Sequence, residues 1–173
     1  MRQIVLIIHN VRSAYNVGSL LRTADGLGVD EVLISGYSPY PPMHNDARLP
    51  HIAQKTGRQL AKTALGAEDS VSWRLVGKLA DTLKVLSARG FDIAALEQTE
   101  TALPLNEYRP AEKVALIVGN EVSGLDETAL GLSSIHLLIP MLGKKESFNV
   151  SAAAAMALFH LRYSKPAVDK PAA

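Results

Sequence analysis

The chemistry-bearing side chains of this chain gather in three polar segments, each placed just after an aliphatic run. The first carries Asn10, Arg12, Asn16 and Arg22. A guanidinium stays charged at any ordinary pH and can grip a phosphate through two parallel N–H donors. Asn16 is well placed to cap the helix that holds Arg22 on its second turn, and such a helix start favours anions through its free N–H groups and dipole. A nucleotide backbone would suit this arrangement, although a plain capping asparagine beside a solvated arginine has the same local sequence. The second segment runs Gly119, Asn120, Glu121, Val122, Ser123, Gly124, Leu125. Glycine after a buried strand lets a ligand approach the backbone, and Asn120 and Glu121 put polar groups at the strand's mouth. An ordinary turn into a helix capped by Asp126 is the other reading. The third segment runs from Ile139 through Lys144, Lys145, Ser147, Phe148 and Asn149 into Val150, Ser151 and four alanines. Ser147 or Asn149 can cap the helix those alanines begin.

The elements that must position these segments are legible from periodicity. Continuous aliphatic runs at 4–8, 32–34, 93–96, 114–118 and 137–139 predict short strands covered on both faces. Helical patterns fall between them at 17–27, 54–65, 75–88, 125–132 and 150–163. Strands alternating with helices predict an α/β fold, a mostly parallel sheet flanked by helices. In such a sheet ligands bind at the ends of parallel strands, so the three polar segments are expected to converge on one pocket. The stretch 36–46, with Pro39, Pro41 and Pro42, predicts an irregular loop that either contacts a partner or merely connects. The tail at 164–173 is expected to fray from a single domain at 1–163.

Composition narrows the field. A chain of 173 residues, 47% hydrophobic and 20% charged, is sized for one domain with its own core. It has no cysteine, which excludes disulfides, thiolate zinc sites and cysteine nucleophiles and is compatible with a reducing cytoplasmic setting. The scattered histidines give no metal-ligand spacing, so no metal is expected. The apolar start is too short to span a bilayer. A net charge of +1 leaves nucleic-acid binding to depend on where the positive groups gather. Neither GxGxxG nor GxxxxGK[ST] is present, which counts against dinucleotide and P-loop chemistry.

The order Asn16 with Arg22, then GNEVSGL, then IPM with SFNVSAAAA resembles the three motifs of the TrmH/SpoU branch of the SPOUT RNA methyltransferases, over the chain from Ile4 to about Tyr163. The resemblance implies an RNA 2′-O-ribose methyltransferase, with transfer RNA the first expectation and ribosomal RNA the second. It implies a C-terminal trefoil knot, a homodimer, and S-adenosylmethionine as cofactor. Leu96, Gly119, Ile139, Ser147, Phe148 and Val150 match the family's cofactor-contact positions, with Ile139, Met141, Leu142 and Phe148 able to wall an adenosyl slot. Asn16, Arg22, Glu121, Ser147 and Asn149 match its catalytic and substrate-handling positions. Arg22 is expected to orient the ribose hydroxyl together with a substrate phosphate, because arginine resists deprotonation. Arg12, Arg22, Arg48, Lys55, Arg58, Lys62, Lys144 and Lys145 are candidates for an RNA-binding strip, although Lys55, Arg58 and Lys62 also suit a solvated helix face. With few residues before the first strand, RNA capture is expected to rest on the catalytic domain itself. A non-catalytic RNA-binding or assembly protein with the same fold is the alternative.

Overall fold

The computed structural model describes residues 1–165; the expected fraying of the tail therefore lies, from residue 166 on, outside the described residues. The chain lays down β1 (Gln3–His9), α1 (Ala14–Gly26), β2 (Glu31–Ser35), α2 (Pro50–Ala64), α3 (Ala67–Ser70), β3 (Trp73–Leu75) and α4 (Leu79–Ala88). It continues with β4 (Asp92–Leu96), β5 (Leu103–Pro104), β6 (Lys113–Val118), α5 (Glu127–Gly131), β7 (Ile135–Leu138) and α6 (Val150–Tyr163). The strands form one sheet in the order β3-β2-β1-β6-β4-β7-β5, and every ladder between them is parallel.

The aliphatic runs are continuous because the two faces of the sheet are both covered. Side chains alternate across a strand, so Ile4, Leu6 and Ile8 of β1 enter one core with Val114, Leu116 and Val118 of β6. Helices α1, α2 and α6 contribute Leu20, Leu21, Leu60, Leu158 and Leu161 to that side. Val5 and Ile7 face the other way, with Ala115 and Ile117, onto Leu83 and Leu86 of α4 and Ala129 of α5. A polar residue at any of these strand positions would be buried without water, at a cost that the backbone ladder cannot offset.

All five expected strands are present. Two more, β3 and β5, are short edge strands whose side chains are at best half-buried, so they leave no aliphatic run in the sequence. The helix expected at 75–88 is corrected accordingly: Leu75 belongs to β3, and the helix starts only at Leu79, after Gly77. The helix expected at 125–132 shrinks to α5, with Leu125 buried outside it and Asp126 accepting a bond from the Ala129 amide as its cap. The 36–46 stretch is irregular, as its prolines require.

Helices α1 and α2 meet at Gly18. A Cβ there would lie 2.3 Å from both the Leu60 carbonyl oxygen and Thr63 Oγ1, so the close approach needs glycine. Thr63 Oγ1 also donates to the Tyr15 carbonyl, which stitches the two helices beside that contact. Gly18→Ala is expected to overpack this crossing by about 1–3 kcal/mol. Differential scanning calorimetry should show the melting temperature falling by roughly 3–10 °C.

Candidate active site

The sheet order places the carboxyl ends of β6, β4 and β7 side by side, and a cleft of about 480 Å³ opens beyond them. That volume is in the range of small-molecule sites. Leu96 closes β4, Val118 and Gly119 close β6, and Leu138 and Ile139 close β7; Val150 and Ala153 of α6 complete the wall. Ser147 and Phe148 line it from the segment before α6, and Phe148 is 43% exposed. All six residues expected at cofactor positions therefore border one cavity.

The turn after β6 is held by its own side chains. Asn120 Oδ1 accepts from the amides of Val122 and Ser123, while the backbones of Asn120 and Gly124 exchange bonds. At Gly119 a Cβ would come within 2.9 Å of the Gly124 backbone, so the tight return requires glycine. Gly124 has φ +68°, the left-handed region, and closes the turn.

Glu121 projects from that turn to the start of α1. Its carboxylate accepts from the Arg12 amide at 2.9 Å, the Ser13 amide at 3.2 Å and Asn16 Nδ2 at 2.7 Å. Asn16 Oδ1 in turn accepts from Asn149 Nδ2 at 3.2 Å. Asn149 Oδ1 caps α6 through the Ser151 amide and hydroxyl. The capping expectation for Asn16 is corrected: α1 begins at Ala14 and Ser13 caps it, accepting from the Asn16 amide. The Asn16 side chain is thereby released to join Glu121 and Asn149.

Arg22 is not brought to this group within one chain. It is exposed on α1, outside the cleft lining. Six residues of helix put it roughly 9 Å along the axis and about 120° around from Asn16. The other basic candidates divide. Arg12, Lys144 and Lys145 are exposed beside the cleft-lining segments, and Lys55, Arg58 and Lys62 share an exposed face of α2. Arg48 is engaged inside the 36–48 loop, paired with Asp46 at 2.5 Å and stacked 3.5 Å from the Tyr40 ring centre.

Sequence reasoning missed Glu97 and Gln98. Glu97 lines the cleft and accepts from the Gln98 and Leu125 amides; Gln98 Nε2 donates to the Glu146 carbonyl and so ties the end of β4 to the loop before α6. Their position directly after a buried run was the available signal.

The profile of the SpoU rRNA Methylase family matches residues 3–159. The chain belongs to that family. It is 31% identical over 160 residues to the 23S rRNA (guanosine(2553)-2'-O)-methyltransferase RlmP of Bacillus subtilis (strain 168), covering 91% of this chain and 57% of that one. It is 27% identical over 156 residues to the tRNA (guanosine(18)-2'-O)-methyltransferase of Escherichia coli (strain K12), covering 90% and 61%. The chain thus spans about three-fifths of the length of these relatives. Among solved structures, the TrmH/SpoU tRNA modifying enzyme of A. aeolicus superposes with a TM-score of 0.77 at 21% identity, covering 98% of this chain and 83% of that one. An AdoMet-bound rRNA methyltransferase of Sinorhizobium meliloti superposes with a TM-score of 0.76 at 20% identity, covering 94% and 57%. These likenesses establish the SpoU/TrmH fold.

Glu121 at the cleft and Asp126 at the start of α5 both titrate below the ordinary carboxylate range. Burial pushes Glu121 up, but the bonds from the Arg12 amide, the Asn16 side chain and the Ser13 amide outweigh it. Asp126 is lowered chiefly by the Ala129 amide, with His9 adding to the effect. A carboxyl lowered on folding stabilises the native state above its unfolded pKa, and that contribution is lost as pH falls through the folded value. Denaturant unfolding should therefore show stability declining from about pH 4 downward, and Glu121→Gln should make that decline shallower. An unchanged acid limb in the variant would show that Glu121 is not held this way.

Proposed function

We propose that this chain is an S-adenosylmethionine-dependent RNA 2′-O-ribose methyltransferase acting as a homodimer. The observation that carries the reading is the joining of Asn16, Glu121 and Asn149 at the border of a cleft lined by all six expected cofactor residues. Apolar Leu96, Leu138, Ile139 and Phe148 with the Ser147 hydroxyl fit an adenosyl group: a slot for a flat ring, with a few polar partners. When bound, the cofactor supplies an electrophilic methyl on sulfur.

The work left to the chain is alignment and charge stabilisation. Asn16, fixed by the Glu121 carboxylate, and Asn149, held by Asn16 and Ser151, present amide groups to the substrate side. Arg22 acts as a fixed cation that, with a substrate phosphate, orients the ribose hydroxyl and stabilises the negative charge growing on its oxygen. It stays protonated throughout. A trefoil knot through the 119–151 region belongs to the same reading.

Because Arg22 stands off the cleft of its own chain, the site is completed by a second copy. Helix α6 supports this. Its inner side buries Ala154, Ala157, Leu158 and Leu161, while Met156, Phe159 and Tyr163 form an exposed apolar stripe, 36%, 59% and 66% accessible. The rings of Phe159 and Tyr163 lie 4.8 Å apart on it. A two-fold partner on this stripe covers it and brings in the second α1, which packs beside α6.

Transfer RNA is the proposed first substrate. The supporting likeness is 26% identity, at a TM-score of 0.72, to a structure described as giving insights into the 2-OH methylation of C/U34 on tRNA, with 92% of this chain and 94% of that one covered. Arg22 standing off the cleft also favours a second reading, an RNA-binding protein without turnover.

Purified chain incubated with labelled S-adenosylmethionine and total RNA should place label on ribose, and mass spectrometry of RNA fractions should find it in tRNA. No transfer to any RNA, with cofactor binding intact by calorimetry, would leave the non-catalytic reading. Arg22→Ala should lower methyl transfer at least about 100-fold with cofactor affinity nearly unchanged. A collapse of cofactor binding would move Arg22 to a structural role. Phe159→Asp should convert the dimer to monomer in light scattering; a variant that stays dimeric places the interface elsewhere.

A further inference from the structure

Tyr37 differs from its neighbours. Ser35 and Ser38 are buried, yet the Tyr37 side chain is 61% exposed. That exposure is fixed by the local backbone. Gly36 has φ +66°, and a Cβ there would lie 1.9 Å from Asn10 Oδ1, so only glycine fits. Asn10 itself has φ +55°, in the left-handed region. Its Oδ1 accepts from the Tyr37 amide at 3.2 Å. The Ser38 hydroxyl donates toward the Ile8 and Ser35 carbonyls and accepts from the Val11 amide, which pins the chain just beyond the ring.

Asn120 completes the arrangement. Its Nδ2 donates to the Tyr37 hydroxyl at 2.6 Å and to the Asn10 carbonyl at 3.2 Å, and the residue lines the cleft. Three strand ends, those of β1, β2 and β6, are thereby tied together around one ring at the border of the cleft, next to Glu121. Among the described residues the ring has no aromatic or cationic partner. Asparagine is among the residues that adopt left-handed backbone most readily, which lets Asn10 hold this turn. The result is a ring fixed by hydrogen bonds yet left exposed beside the cleft, adding little to the core.

We infer that Tyr37 is the platform on which a base of the substrate RNA stacks, at or beside the nucleotide whose ribose faces the cleft. The inference rests on the RNA methyltransferase reading. Proteins take up single-stranded RNA by stacking unpaired bases on aromatic rings, an interaction tolerant of base identity. Tyr37 therefore supplies affinity and placement, and the Asn120 bond to its hydroxyl sets the plane of the ring.

The test compares Tyr37→Ala and Tyr37→Phe in the full chain by three measurements. These are binding of a fluorescein-labelled polyadenylate of about 12 nucleotides, KM and kcat for methyl transfer to total cellular RNA, and cofactor affinity by calorimetry. Tyr37→Ala should weaken oligonucleotide binding and raise the RNA KM at least about 5-fold, the scale of one lost base stack, with cofactor affinity within about 2-fold of wild type. Tyr37→Phe keeps the ring and should stay within about 3-fold of wild type in RNA binding. Three outcomes overturn the proposal: an alanine variant that binds RNA like wild type, a phenylalanine variant that falls as far as alanine, or a wild-type chain with no affinity for the oligonucleotide. Absence of methyl transfer by the wild type would sink the methyltransferase reading alone, because the oligonucleotide comparison still decides stacking.

Discussion

The carboxylate of Glu121 is the constraint on which the site depends. It collects two backbone amides and one side-chain amide from the start of α1 while standing on the turn after β6. Hydrogen bonds to an ionised acceptor are shorter and stronger than neutral ones, and here three converge on one group. Burial opposes the charge, yet the balance keeps Glu121 ionised. Without that anchor, the Asn16 side chain would lose the bond that directs it toward Asn149. One group thus couples segments more than a hundred residues apart in sequence.

The sheet makes this convergence possible. A parallel ladder brings the carboxyl end of every strand to one edge, so polar loops that follow β1, β6 and β7 must share a rim. The apolar alternation of β1 and β6 locks the register, since a slip of one residue would exchange the two cores. Rigid strands then carry tight turns at Asn10, Gly36 and Gly124, whose left-handed backbone asparagine and glycine adopt most readily. The apolar layers supply the stability and these turns shape the rim of the cleft.

Much of the fold was legible because burial on both faces writes itself as uninterrupted aliphatic runs. Residues 4–8 and 114–118 are as plain in sequence as in structure. Edge strands β3 and β5 were not legible, since they bury too little to leave a run. The six cleft-lining positions were named through motif resemblance, and their shared wall follows from lying at or just beyond strand ends. The capping of α1 was misassigned by three residues: Ser13 and Asn16 are both good caps, and sequence alone does not say which amide is free. Helical phase could have warned that Asn16 and Arg22 do not share a face.

The sequence by itself determined the five buried strands, the main helices between them and the two-faced sheet, because these follow from periodicity, while six positions of the cleft wall came only through motif resemblance. Only the tertiary structure decided that Asn16 bonds to Glu121 rather than capping its own helix, that Arg22 stands away from the cleft of its own chain, and that Tyr37 is held out beside it. Those outcomes depend on which strand ends become neighbours, a property of strand order that no local pattern of residues encodes.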